Sequence, residues 1–348
     1  MTSLSRKSAA AIAAILTVVL VISIKYMGGF ELLSSKSEES KESKRSSDDV
    51  LKVVKEKVNN EHSMTIVTLF VPMGTFQKGG GGNFYTVDKY KNWMLTYSWL
   101  TNKVVAFFTD EESLQYFKKM REAQPADRTI LIKLDSSQLD AFKNYETVKS
   151  IFAAPDYPKH HPNTVNANYS IVMNAKYDAL QMAMDMGHVD TPYIAWLDIG
   201  TFRNLVDMRP PNNTFTLEVP DGFDNAKVAF TEVTPHDQLK DTSPWDYIRS
   251  NHVWVAGSFL FGTTQVIKKF ITAYKTTVEL LLKERQASTD QQVIGAMYSP
   301  KFIKDRDVHI QTYTCRDGQY GLGGSDIQYF CLAYMCREAA EKRASPKV

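Results

Sequence analysis

The 348 residues carry 41 Lys and Arg against 39 Asp and Glu, a formal net charge of +2. That balance, with no dense Lys/Arg block, argues against a nucleic-acid partner. From about residue 62 onward the chain is long enough for one large domain with a sizeable core.

The first element is apolar. Ala9 to Ile24 (AAAIAAILTVVLVISI) holds no charge, follows Arg6 and Lys7, and is closed by Lys25. As a helix it would span ~24 Å, short for a bilayer core but longer than most signal-peptide cores. No small-x-small cleavage pattern follows, which favours an uncleaved anchor (residues 9–30) over a removed signal peptide that would leave the domain secreted. The basic residues before the segment put residues 1–8 in the cytosol and the rest in the lumen. Ser34 to Asp49 is polar and highly charged, so residues 31–61 read as a flexible stalk before a lumenal domain over 62–348. The cysteines are Cys315, Cys331 and Cys336. An oxidising compartment permits one disulfide; Cys331 and Cys336 point differently on a helix, which favours Cys315 with one of them over a Cys331–Cys336 pair, and three buried thiols are the alternative. Two sequons, at Asn168 and Asn212, fit lumenal exposure.

Strand and helix signals then alternate, the pattern of an α/β fold with a mostly parallel sheet. Thr65 to Val71 is a strand, stopped by Pro72 and Gly74. The Gly79 to Gly82 run after Lys78 lacks the Lys-Ser/Thr of a Walker loop and reads as a flap or a linker. Asp88 is placed to cap a helix whose Tyr90, Trp93, Met94, Tyr97 and Leu100 face inward. Strands follow at Lys103 to Thr109 and Thr129 to Leu134, with Asp110 opening a helix between them. Ser170 to Met186 is a helix ended by Gly187. Tyr193 to Asp198 (YIAWLD), Lys227 to Val233 and Val253 to Phe261 are strands, and Thr264 to about Arg285 is a helix.

Asp198 ends an apolar strand and is followed by Gly200. In open α/β sheets ligands bind outside the carboxyl ends of strands, so one carboxylate delivered there suits a divalent cation bridging a diphosphate. The structural alternative is a turn former or cap.

Five blocks in one order extend the pattern: TIVTLFV; YTVDKYKNWMLTYSWLTNKVVAFFTDEE; the Lys176 helix; YIAWLDIGTFRN; and VAGSFLFGTTQVIKKF followed by STDQQVIGAMY. In these blocks the sequence resembles the HtrL/YibB-like family, itself similar to GT-A glycosyltransferases. The resemblance implies a GT-A-like sheet and transfer of a sugar from a nucleotide-sugar donor to a glycan, glycoprotein or glycolipid acceptor by a type II enzyme of the Golgi or ER membrane. The alternative is a non-catalytic glycan-binding protein. Asp198 matches the position of the Asp-x-Asp metal motif, but Trp196 and Gly200 stand where a second Asp would, so Mn²⁺ or Mg²⁺ would rest on one carboxylate, with His309 as a late ligand. Lys176, Trp196, Arg203, Trp254, Gly257 and Ser258 are the implied donor- and substrate-binding residues. Asp290 and Asp246 are the candidate acids or bases beside the acceptor.

Overall fold

The computed structural model describes residues 61–207, 210–299 and 307–345. The Ala9 to Ile24 anchor and the 31–60 part of the stalk lie outside the described residues. Among the described residues no helix is long and apolar enough to cross a membrane.

Seven strands form one sheet: β1 (Met64–Phe70), β4 (Val104–Phe108), β5 (Thr129–Lys133), β6 (Tyr193–Leu197), β7 (Lys227–Glu232), β8 (Val255–Thr263) and β9 (His309–Tyr313). Their order is β5-β4-β1-β6-β8-β7-β9. β8 alone runs against the others, antiparallel to both β6 and β7. A small hairpin, β2 (Phe76–Gln77) with β3 (Phe84–Tyr85), carries the glycine run. The fold is therefore α/β with a mixed, mostly parallel sheet flanked by helices.

Every residue of β1, β4 and β6 is buried, as expected of strands covered on both faces. Side-chain alternation divides them between two cores. Val67, Val105 and Phe107 join the helices Ala167–Asp185 and Thr264–Lys283, whereas Ile66, Val104 and Phe108 join the helices Val87–Trp93, Glu111–Arg121 and Ser325–Ala344.

One local reading changes. The helix placed after Asp88 is capped by Thr86, whose hydroxyl accepts from the Lys89 N–H, and it breaks into Val87–Trp93 and Thr96–Trp99. Met186 faces solvent at 46% exposure. Gly200 has no unusual φ; its role is space, because a Cβ there would lie 3.2 Å from a ring carbon of Trp93. The disulfide joins Cys315 to Cys331 and leaves Cys336 free and buried.

A buried arginine braces the segment that supports the site. The Arg121 guanidinium, 3% exposed, donates to the carbonyls of Tyr97, Leu100, Asn102 and Arg128 and to the Thr129 hydroxyl. Burial lowers its pKa to about 10. Tyr97 in turn donates its hydroxyl to the Leu197 carbonyl at 2.9 Å, one residue before Asp198. Arg121→Met strips buried carbonyls of their donor, and chemical denaturation is expected to show a loss of about 2 kcal/mol. An unchanged midpoint would mean that water replaces the guanidinium at no cost.

Candidate functional site

The sheet places a crevice before any side chain is considered. From β1 the chain steps outward to β4 and β5, whereas from β6 it steps the other way to β8, β7 and β9. β1 and β6 are neighbours, so the carboxyl ends of these two strands flank a topological switch point, where α/β proteins bind ligands. A cleft of about 460 Å³ opens there, lined by Leu69 to Val71 from β1 and by Trp196 and Asp198 from β6. That volume suits a small organic ligand.

Lys176 stands at the centre. The helix Ala167–Asp185 begins at Asn166, whose side chain accepts from the Tyr169 N–H, and is buried over much of its circumference. Its lysine is therefore driven inward, to 1% exposure. The ammonium lies 2.9 Å from Asp290 Oδ2 and 3.6 Å from Asp198 Oδ1, and donates to the Gly257 carbonyl at 2.8 Å. It also sits 5.4 Å from the centre of the Trp196 ring. Helix, strand end and helix start are thus tied by one cation.

Charge and burial oppose each other here. Burial pulls the Lys176 pKa down, but Asp198 and Asp290 outweigh it and hold the lysine above its ordinary value. Burial raises Asp198 above the usual carboxylate range, with Lys176 opposing and Asp290 reinforcing the shift. The Trp196 indole N–H donates to Asp198 Oδ1 at 2.6 Å, which fixes the carboxylate's orientation. The Asp198 side chain is 32% exposed, whereas Asp290 is sealed at 3%. Of the two carboxylates that meet Lys176, Asp198 is the one accessible to a ligand.

The wall is aromatic and basic. Tyr90 and Trp93 meet edge to face at 5.1 Å between ring centres, and Tyr85 lies 5.8 Å from Trp93. Arg203 pairs with Asp326 and lies over the Phe330 ring at 4.6 Å. Lys78 reaches in from the glycine hairpin, 5.6 Å from the centre of Tyr85.

The structure brings together Lys176, Trp196, Asp198, Arg203, Gly257, Ser258 and Asp290. Gly257 is required by packing, since a Cβ would fall 1.9 Å from Asp290 Oδ2. Ser258 donates its hydroxyl to the Tyr329 carbonyl, and its own carbonyl accepts from the Asp198 N–H at 2.8 Å. Three expected residues lie elsewhere. Trp254 is core: 5% exposed, it donates to Glu232 and packs against His236 and Tyr298. Asp246 is in the first turn of the helix Pro244–Arg249, bonded to the Ser243 hydroxyl and Arg249, and does not line the cleft. His309 pairs with Lys227 at the start of β7, whereas Asp198 lies at the end where β7 finishes beside Val255. It is at the wrong end of the sheet to share an ion with Asp198.

Those positions bear on Mn²⁺ or Mg²⁺. Among the described residues no group of three or more His, Cys, Asp or Glu is arranged to hold a metal ion. Of the carboxylates lining the cleft, Asp198 and Asp290 already share an ammonium and Asp326 is paired with Arg203. Divalent cations take several oxygen ligands, and this donor set does not fit one.

Residues that sequence reasoning did not select complete the cleft: Lys78, Tyr85, Asp326 and Phe330. Arg203 and Asp326 are 123 positions apart, and no local pattern joins them.

Comparison with known proteins agrees with the sequence blocks. Protein HtrL of Escherichia coli (strain K12) is 24% identical over 254 residues, covering 68% of this chain and 84% of that protein. A family model described as a bacterial protein of unknown function, HtrL_YibB, matches residues 62–304, more than half of the chain and nearly all of the strands described above. The chain belongs to the HtrL_YibB family.

Proposed function

We propose that this protein is a GT-A-like glycosyltransferase that moves a sugar from a nucleotide-sugar donor to a glycan, glycoprotein or glycolipid acceptor. The observation that carries the reading is the cleft at the β1/β6 switch point, where Lys176 joins Asp198 and Asp290. In the same proposal the apolar segment at residues 9–24 anchors the enzyme in the Golgi or ER membrane with its domain in the lumen. The Cys315–Cys331 pairing supports an oxidising compartment.

The chemistry follows from exposure and charge. An acceptor hydroxyl attacks the anomeric carbon as the bond to the diphosphate breaks. The attacking oxygen must lose a proton, and Asp198 is the group placed to take it, being open to the cleft and a stronger base than an ordinary carboxylate. Asp290, sealed against Lys176, holds the lysine in place instead of meeting the acceptor. Arg203 and Lys78 face the cleft as counter-charges for the departing diphosphate, and Tyr85, half-buried on the hairpin, offers its ring to a base or a sugar.

Purified full-length protein should release nucleoside diphosphate from at least one member of a panel of UDP- and GDP-sugars, faster when glycan acceptors are added. Silence toward every donor, with glycan binding that is indifferent to nucleotide, would replace the proposal with a non-catalytic glycan-binding role.

A further inference from the structure

We infer that this site holds the donor's diphosphate with its own cations and without a divalent metal, Lys78 on the glycine hairpin being the residue that closes on the anion. The inference rests on the donor reading above and asks how the same site neutralises charge.

Three observations carry it. First, the position between the two carboxylates is taken. A divalent cation bound to the carboxylate oxygens that face the lysine would lie about 2.0–2.6 Å from one of them. The Lys176 ammonium is already 2.9 Å from Asp290 Oδ2 and 3.6 Å from Asp198 Oδ1, so metal and ammonium would be pressed together. Asp198 Oδ1 is further committed to the Trp196 N–H. Second, the remaining cations are unequally used. Lys176 is matched by two carboxylates and Arg203 by Asp326, whereas Lys78 makes no ion pair among the described residues. Its ammonium lies 5.6 Å from the centre of the Tyr85 ring, where burial and Arg203 pull its pKa down while Asp198 and Asp290 oppose them. Third, Lys78 is mounted on a glycine hairpin that lines the cleft. Gly79, Gly81 and Gly82 all have positive φ, a conformation that glycine adopts without strain. The hairpin is tied down by the Lys78 N–H to the Asn83 carbonyl and by the Gly79 N–H to the His161 carbonyl at 3.0 Å. An unpaired ammonium on a glycine hairpin beside a cleft that holds Arg203 is suited to a phosphate.

Calorimetric titration of the full-length chain with UDP, GDP, CDP and ADP tests this, once in EDTA and once with Mn²⁺ or Mg²⁺. At least one nucleotide is expected to bind with equal affinity in the two buffers. Lys78→Ala should weaken that binding roughly tenfold or more, as for a lost hydrogen bond to a charged group, and Lys78→Arg should restore most of it. Lys78 is exposed, so the variant's thermal midpoint should match the wild type. Binding that requires the divalent ion, or that ignores Lys78→Ala, overturns the inference and leaves the donor reading standing. Failure of every nucleotide in both buffers removes the donor reading and the inference together.

Discussion

Lys176→Ala is expected to lower folding stability by about 3–5 kcal/mol, the range for removing one partner of a buried ion pair. The lysine is 1% exposed, and its loss leaves the sealed carboxylate of Asp290 facing that of Asp198 with no cation between them. The Gly257 carbonyl loses its donor as well. If stranded charge is the cause, a triple variant, Lys176→Met with Asp198→Asn and Asp290→Asn, should recover much of the loss in urea denaturation. Equal instability in the single and triple variants would instead assign the effect to lost packing around the lysine stem. The pH dependence follows from the same contacts. Burial pulls the lysine pKa down, but the carboxylates hold it above the ordinary value of 10.5, so its contribution is full below 10.5 and is lost as pH rises through the higher folded value. From neutral pH up to about pH 10 the stability gap between wild type and Lys176→Met should stay flat, and it should close as pH rises further.

Gly257→Ala should reduce turnover by about a hundredfold, because a shift of about an ångström in a catalytic group is enough for that. The added methyl carbon would stand 1.9 Å from Asp290 Oδ2 and 3.2 Å from the Lys176 ammonium. Asp290 is sealed by Lys176 and the surrounding chain, so the carboxylate has little room to retreat and the whole constellation must adjust. Overpacking of this kind also costs about 1–3 kcal/mol. Full turnover in a variant that folds normally would show that the position of Asp290 is not critical.

The strands under the cleft are legible in the sequence because β1, β4 and β6 are buried on both faces and read as continuous apolar runs. β9 is not legible. His309 to Tyr313 (HIQTY) forms an edge strand that is only half covered, so it has no apolar signature, and nothing in the sequence marks His309 as a strand start at the far end of the sheet. Asp198 could be placed at a strand end from its neighbours alone, whereas its contact with Lys176 needed the tertiary fold. Trp254 shows the opposite limit. A tryptophan at the start of an apolar strand reads the same whether its ring faces a cleft or a core, and here it faces His236 and Tyr298. Asp246 did carry a usable signal: Ser243 three positions earlier, with Pro244 between, is the pattern of a capped helix start. The Arg203–Asp326 pair and the hairpin lysine Lys78 had none, since each depends on segments distant in the chain meeting at one rim.

Hydrogen–deuterium exchange of the full-length protein with and without a UDP- or GDP-sugar locates the donor site directly. A donor bound at the switch point should confine protection to the ends of β1 and β6, the hairpin around residues 76–85, and the segments around Gly257 and Asp290. Protection centred instead on the separate cavity lined by Asn174, Tyr274 and Lys275, or absent with every donor, would contradict it.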